Sequence, residues 1–176
     1  MFISFILPII LLFIFLIFLI TILGYLIYTS FFQPGAVYYP SKDEAVAEMY
    51  RLSGASEKDT VMDLGSGDGR ILIGFAKHNV NAIGYEIDPL LVLESRKKIK
   101  NEGVEKLAKV YLKSFWLADF NKATIITLYL FPKYMDKLQD ILEKKLTHPL
   151  LLISNDYQFP RKKYFKKEGK IYLYKF

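Results

Sequence analysis

From Phe2 to Thr29 the chain carries no charged side chain and is built mainly of Ile, Leu and Phe. The run has no polar face, which separates it from the helices that lie on the surface of a soluble domain. About 20 apolar residues suffice to cross a hydrocarbon core, and this run exceeds that with room for tilt. Pro8 falls near its start, where a first turn or slight kink tolerates it. Tyr25 and Tyr28 stand at the far end, as in an interfacial aromatic belt. The pattern predicts one transmembrane helix whose partner is a lipid bilayer through residues 2–29. A cleaved signal peptide fits poorly: no basic residue precedes the run, the run is too long, and no small-x-small cleavage site follows. Residues 1–32 are therefore read as an anchor and residues 33–176 as the functional domain.

Beyond Gln33-Pro34-Gly35, which breaks the helix, the period of apolar positions changes repeatedly. Ser41 followed by Glu44 reads as a capping box that starts a helix running to about Leu52. Short apolar strands are expected at Thr60–Leu64, Ala82–Ile87, Lys109–Leu112, Thr124–Leu130 and Leu150–Ser154. Helices are expected over Arg70–Lys77, from Pro89 to about Asn101, and from about Lys133 to Lys145. Two further strands, Tyr164–Lys167 and Ile171–Phe176, flank Glu168-Gly169 and suggest a hairpin. Alternating strands and helices predict an α/β, Rossmann-like parallel sheet with helices on both faces, closed by an antiparallel edge.

Every charged side chain lies after Ser41, so the net charge of +6 belongs to the second part. A basic domain points to an anionic neighbour without choosing between lipid, nucleic acid and acidic protein. Lys42, Arg51 and Lys58 follow the helix and no Lys or Arg precedes it, which places the domain on the cytoplasmic side by the positive-inside rule. The chain has no cysteine. This excludes disulfides, thiolate metal sites and a cysteine nucleophile. His78 and His148 are its two histidines, they lie far apart, and no carboxylate-rich ligand pattern surrounds either, so no metal centre is expected.

The most informative stretch is Asp63-Leu64-Gly65-Ser66-Gly67-Asp68-Gly69-Arg70. An apolar strand enters a loop with glycine at every second position, and a helix follows. Such glycines let a ligand approach the backbone closely. The dinucleotide fingerprint requires a further glycine where Arg70 stands, which disfavours a pyrophosphate. The next strand ends in Gly84-Tyr85-Glu86-Ile87-Asp88. A carboxylate at that tip, about 20 residues after the loop, is suited to accept both hydroxyls of a ribose, and Glu86 is the candidate. Asp88 reads as the cap of the helix that begins at Pro89.

These two stretches resemble motif I and the following acidic motif of class I S-adenosylmethionine methyltransferases. Tyr38-Tyr39-Pro40-Ser41 ahead of a helix resembles an element of a compact protein-lysine methyltransferase family. That family includes archaeal enzymes of broad specificity and membrane-anchored mitochondrial enzymes acting on the adenine nucleotide translocator or the ATP synthase c-subunit. The similarity extends from about Val37 to Pro160. It implies that the cofactor is S-adenosyl-L-methionine, with Asp63, Gly65, Ser66, Gly67 and Gly69 around its methionine part, Glu86 on the ribose, and Ser114 and Phe115 beside the adenine. Serine at 114 departs from the Asp or Asn usual there, and Asp119 is a distant substitute. Tyr129 and Tyr38 are implied at the acceptor side.

The fourth strand ends in Leu128-Tyr129-Leu130-Phe131-Pro132. It lacks the Asn/Asp-Pro-Pro-Tyr/Phe run by which some methyltransferases hold a planar amino group, which counts against a base or amide acceptor. Tyr129 fits the methyl-transfer site and a core aromatic equally well. Asn155–Pro160 either borders the acceptor site or is an ordinary loop with Asp156 as turn former. The basic runs Arg96–Lys98 with Lys100, and Arg161–Lys163 with Lys166, Lys167 and Lys170, read as solvated surface that helps orient a tethered domain on anionic headgroups. The leading expectation is a methyltransferase acting on lysine of a protein near the membrane, with nucleic acid disfavoured. Methylation of a lipid, quinone or nucleic acid, and a non-catalytic cofactor-binding module, are the competing readings.

Overall fold

The structure, a computed structural model, describes residues 2–31 and 40–176. It falls into two compact units, Met1–Gly35 and Ala36–Phe176. The first is a single helix, α1 (Phe2–Phe31). Its described side chains from Ile6 to Ile27 are exposed, apart from half-buried Tyr25. Among the described residues it is the one helix long and apolar enough to cross a membrane. The hydroxyl of Thr21 donates to the carbonyls of Ile17 and Phe18 at 3.0 and 2.8 Å, so this polar group is satisfied within the helix. The expected linker Gln33-Pro34-Gly35 lies outside the described residues.

In the second unit, strands and helices alternate: α2 (Asp43–Ser53), β1 (Thr60–Leu64), α3 (Arg70–Ala76), β2 (Asn81–Glu86), α4 (Pro89–Asn101), β3 (Ala108–Leu112), β4 (Ile125–Leu128), α5 (Pro132–Lys145), β5 (Leu151–Asn155), β6 (Lys166–Glu168) and β7 (Ile171–Lys175). They form one seven-stranded sheet of order β3-β2-β1-β4-β5-β7-β6. The first five are parallel, β7 runs antiparallel to β5, and β6 antiparallel to β7. The α/β sheet with an antiparallel edge is the one expected.

Pleating divides the strands between two cores. Val61 and Ile125 face one layer, where Val46, Met49 and Leu52 of α2, Leu72 and Phe75 of α3, and Val92 and Ile99 of α4 pack. Met62, Leu64, Ile126 and Leu128 face the other, filled by Met135, Leu138 and Leu142 of α5. Strands buried on both faces need the nearly unbroken apolar runs seen in β1, β4 and β5.

Several boundaries differ from expectation, each for a tertiary reason. The capping box at Ser41 does not form: α2 begins at Asp43 after Lys42, without a side-chain cap. Ser41 is buried instead, its hydroxyl accepting from Asn155 Nδ2 at 3.3 Å and its carbonyl from Arg70 Nη1 at 2.6 Å. β4 ends at Leu128 rather than Leu130, because Leu128 is the last residue paired with both β1 and β5. β6 starts at Lys166 rather than Tyr164, whose ring packs edge-on against Tyr172. Two 3₁₀ turns, Phe115–Leu117 and Phe120–Lys122, were not expected. The hairpin turns at Gly169, with φ +54°.

Gly84 of β2 sits under the glycine-rich loop. A Cβ there would lie 2.5 Å from Ser66 Oγ and 2.6 Å from Leu72 Cδ1. Gly84→Ala is expected to destabilise the domain by about 1–3 kcal/mol through overpacking, measured as a lower denaturant midpoint.

Candidate functional site

The chain runs β1, β2, β3 outward and then returns to place β4 beside β1, so the sheet reverses direction between those two strands. In open α/β sheets the crevice beyond the carboxyl ends at such a reversal is where ligands bind. Here that end of the sheet carries the loop from Gly65 to Gly69.

Gly65, Gly67 and Gly69 all have positive φ, of 88°, 52° and 81°. Alternating left-handed glycines fold the loop tightly back over the strand tips. The amides of Gly65 and Ser66 both donate to the Tyr85 carbonyl at 3.0 Å, tying the loop to β2. Gly69 packs against Ser95 of α4, and an added Cβ would collide with that hydroxyl. Gly65 differs: it is exposed, and a Cβ there would meet only Leu130 Cδ2, at 3.8 Å. Its face of the loop is open. Ser66 Oγ is buried with no hydrogen-bond partner among the described residues.

Glu86 is buried at the end of β2. One carboxylate oxygen accepts from the Gly67 amide at 2.9 Å, the other from the amides of Ile87 at 2.6 Å and Asp88 at 2.9 Å. Asp88 caps α4 as expected, accepting from Leu90 and Leu91. Asp63 lies fully buried one strand away and accepts from the Thr127 hydroxyl at 2.8 Å. Burial pushes its pKa up to about 8; the Thr127 bond opposes this, and the nearby charges of Glu86 and Asp68 add to it.

Asp68 is the third acid. Burial disfavours its charge, yet Arg70 at 2.8 and 3.0 Å and Lys98 at 2.6 Å hold its pKa well below the usual carboxylate range. Lys98 is thus no purely solvated residue of the basic run, and Asp68 and Arg70 are functional-looking neighbours that the motif reading passed over. Thr127 was missed as well. Its pairing with Asp63 across β1 and β4 depends on strand register, which no local pattern reports.

The remaining candidates scatter more widely. Lys113 donates its amide to the Glu86 carbonyl at 2.9 Å, which sets Ser114 beside the tip of β2. Ser114 precedes the first 3₁₀ turn without capping it through its side chain. Phe115 stacks at a tilt on Trp116, centroids 4.5 Å apart, over the α5-side core. Asp119 is occupied capping the second turn through the Asn121 amide. Tyr38 lies outside the described residues.

Beyond β4, the Tyr129 hydroxyl donates to Asp156 Oδ2 at 3.0 Å. Asp156 has a left-handed backbone, φ +70°, and its other oxygen meets Lys170 Nζ at 2.9 Å. The Tyr157 ring lies 6.1 Å from that of Tyr129 and 5.8 Å from that of Phe131. Asn155–Pro160 therefore contacts the β4 end rather than looping away. Both histidines are used structurally: His78 stacks on Tyr50 with centroids 3.9 Å apart, and His148 Nε2 is 2.8 Å from the Ala123 carbonyl.

Glu86, an acid without a basic partner among the described residues, lies beside an open glycine face, with the buried and proton-retaining Asp63 one strand away. This suits a ligand that is cationic or rich in hydrogen-bond donors there. A pyrophosphate, which brings negative charge beside Glu86, fits poorly. An adenosyl sulfonium compound bearing an ammonium meets that requirement. The family model of the ANTKMT methyltransferase domain matches residues 63–166. The chain belongs to this methyltransferase family. It is 35% identical over 117 residues to the lysine N-methyltransferase of the ATP synthase c-subunit from Homo sapiens, covering 66% of this chain and 48% of that protein. It is 33% identical over 127 residues to a protein-lysine N-methyltransferase of Saccharolobus islandicus, covering 71% and 79%. The chain thus spans about half the length of the human relative. A crystal structure described as an RNA methyltransferase from Salinibacter ruber in complex with S-adenosyl-L-homocysteine superposes with a TM-score of 0.75 at 34% identity, covering 78% of this chain and 93% of that one. The cofactor of this methyltransferase is S-adenosyl-L-methionine.

The raised pKa of Asp63 makes stability depend on pH. Between the ordinary value of 3.8 and about 8, the unfolded chain has lost this proton while the native state keeps it. Stability therefore falls as pH rises through that window and levels off above it. Asp63→Asn keeps an oxygen for the Thr127 hydroxyl and is expected to abolish this decline. In urea titrations, variant and wild type should differ least near pH 4 and most near pH 8, the gap growing by at most about 1.4 kcal/mol per pH unit.

Proposed function

We propose that this protein is a membrane-tethered, S-adenosylmethionine-dependent protein-lysine N-methyltransferase, with residues 1–32 as anchor and 33–176 as catalytic domain. The observation that carries the reading is Glu86 held at the tip of β2 against an open glycine loop, in a chain related to lysine methyltransferases. In this reading Glu86 holds the ribose, while Asp63, Gly65, Ser66, Gly67 and Gly69 surround the methionine part. Ser114 and Phe115 border the adenine. The acceptor protein presents its lysine beside Tyr129, which Asp156 keeps in place; Tyr38 is assigned to the same side from the sequence.

When bound, the cofactor supplies an activated methyl group and its own leaving group. The chain's task is to align and desolvate. An acceptor lysine has an ordinary pKa of about 10.4 and must lose its proton to attack. The rings of Tyr129, Phe131 and Tyr157 offer a dry approach that favours the neutral amine. The same ring faces then attract the methylated ammonium.

The lipid bilayer as partner and the cytoplasmic orientation are part of this proposal, supported by the apolar length of α1 and by the lysines and arginine that follow it. A second reading, RNA as acceptor, is favoured by the described activity of the Salinibacter relative. The absence of an Asn/Asp-Pro-Pro run after β4 argues against it.

Transfer of radiolabelled methyl to membrane extracts separates the readings: label recovered as methyl-lysine supports the first, and label confined to RNA overturns it. Glu86→Gln is expected to weaken cofactor binding about 10- to 100-fold by calorimetry and also to lower the melting temperature, because its amide nitrogen cannot accept from a backbone N–H as either carboxylate oxygen does. Circular dichroism at the assay temperature checks that the variant is folded. Tyr129→Phe is expected to lower kcat/KM for the acceptor about tenfold and leave cofactor affinity unchanged.

A further inference from the structure

β3 is an outer strand of the sheet, and α4 lies across it. Ala108 and Val110 of β3 share a core with Val92 and Ile99 of α4, so alternation sets Leu112 on that same face of the strand. Arg96 Nη2 reaches the Val110 carbonyl at 3.4 Å, which fixes the local alignment. Helix and strand run in opposite directions in a parallel α/β unit. Leu93 lies one helical turn back from Arg96 and Leu90 one turn further, both toward the strand tips, the end at which Leu112 closes β3. All three leucines are more than half exposed, at 59% for Leu90, 61% for Leu93 and 55% for Leu112.

Cations border this apolar strip. Lys97 continues the Leu90–Leu93 stripe at helical spacing, Arg96 and Lys100 flank it, and Lys113 follows Leu112; all are exposed. The acid within the stripe, Glu94, is engaged by Lys98 at 2.7 Å. An apolar centre with a basic rim is complementary to the interface of an anionic bilayer, where leucines enter the acyl boundary and lysines meet headgroups. The chain between Phe31 and Asp43 spans roughly 40 Å at most, comparable to the domain's own diameter. Tethered so closely, the domain needs only a weak patch to choose which face it turns toward the lipid.

We propose that the face formed by Leu90, Leu93 and Leu112 docks on the anionic membrane surface to which α1 tethers the chain. This rests on the membrane-anchored reading above. Leu90 adjoins the Glu86 loop, so docking brings the rim of the cofactor crevice to the interface. Lysines that emerge from the bilayer at headgroup level are then the acceptors within reach.

The absence of cysteine allows single labels on the full chain. Leu93→Cys, Leu112→Cys and, as control on the opposite layer, the exposed Lys144→Cys would each carry an environment-sensitive fluorophore. Each labelled chain is reconstituted into vesicles of phosphatidylcholine with about 30% phosphatidylserine, containing lipids that carry a quencher just below the headgroup. Quenching at 93 and 112 is expected to be at least twice that at 144, and to shrink toward it without phosphatidylserine or in high salt. Equal quenching at all three positions, in chain that floats with the vesicles, overturns the docking face and leaves the anchor standing. Unquenched labels at 93 and 112 that are nonetheless shielded from aqueous iodide mean that a second copy covers the face, which also overturns it. Chain that is stripped from vesicles by alkaline carbonate overturns the anchor, and the docking face with it.

Discussion

Burying a carboxylate is costly unless donors replace the water it gives up. Glu86 meets this with three backbone amides drawn from two connections, Gly67 on one side and Ile87 and Asp88 on the other. Hydrogen bonds to a charged acceptor contribute about 1.5–3 kcal/mol each, so this one side chain sets the conformation of both loops. The left-handed glycines are its consequence: only a loop that doubles back can aim the Gly67 amide at the tip of the neighbouring strand. Asp63, one strand away, has a single hydroxyl donor and is satisfied instead by keeping its proton. The two acids thus meet burial with different numbers of donors, three for Glu86 and one for Asp63.

Around that pair the fold works as a clamp of independent contacts. Asp68 joins the start of α3 to α4 through Arg70 and Lys98, and Arg70 also grips the Ser41 carbonyl ahead of α2. Asn155 at the end of β5 holds the Ser41 hydroxyl. The segment entering the domain is therefore fastened from two sides of the crevice. Beyond β4, Asp156 and Lys170 fix the Tyr129 ring through a strained backbone position. Such strain persists only where surrounding contacts over-determine it, and it recurs at functional sites.

This division suits a reaction whose difficult electronic step belongs to the cofactor. In the proposed reading the protein contributes the glycine-loop cradle beside Glu86 and a dry aromatic approach. The two hydrophobic cores that support the cradle are drawn wholly from the second unit. Helix α1 is apolar on every side, unlike the amphipathic helices of the second unit.

The sequence by itself determined the elements whose cause is local. The apolar run of α1, the alternation of strand and helix, the cap at Asp88 and the Gly65–Gly67–Gly69 turn ahead of Glu86 were all legible, because periodicity, capping and positive φ act over a few residues. Ser41 was misread because its capping signal, equally local, lost to partners 29 and 114 residues away. Thr127 opposite Asp63, Lys98 on Asp68 and Asp156 on Tyr129 were settled only by strand register and helix placement. The physical reason is common to all three: a side chain's partner across a sheet or between layers is chosen by tertiary geometry, and neighbouring letters in the chain hold no record of it.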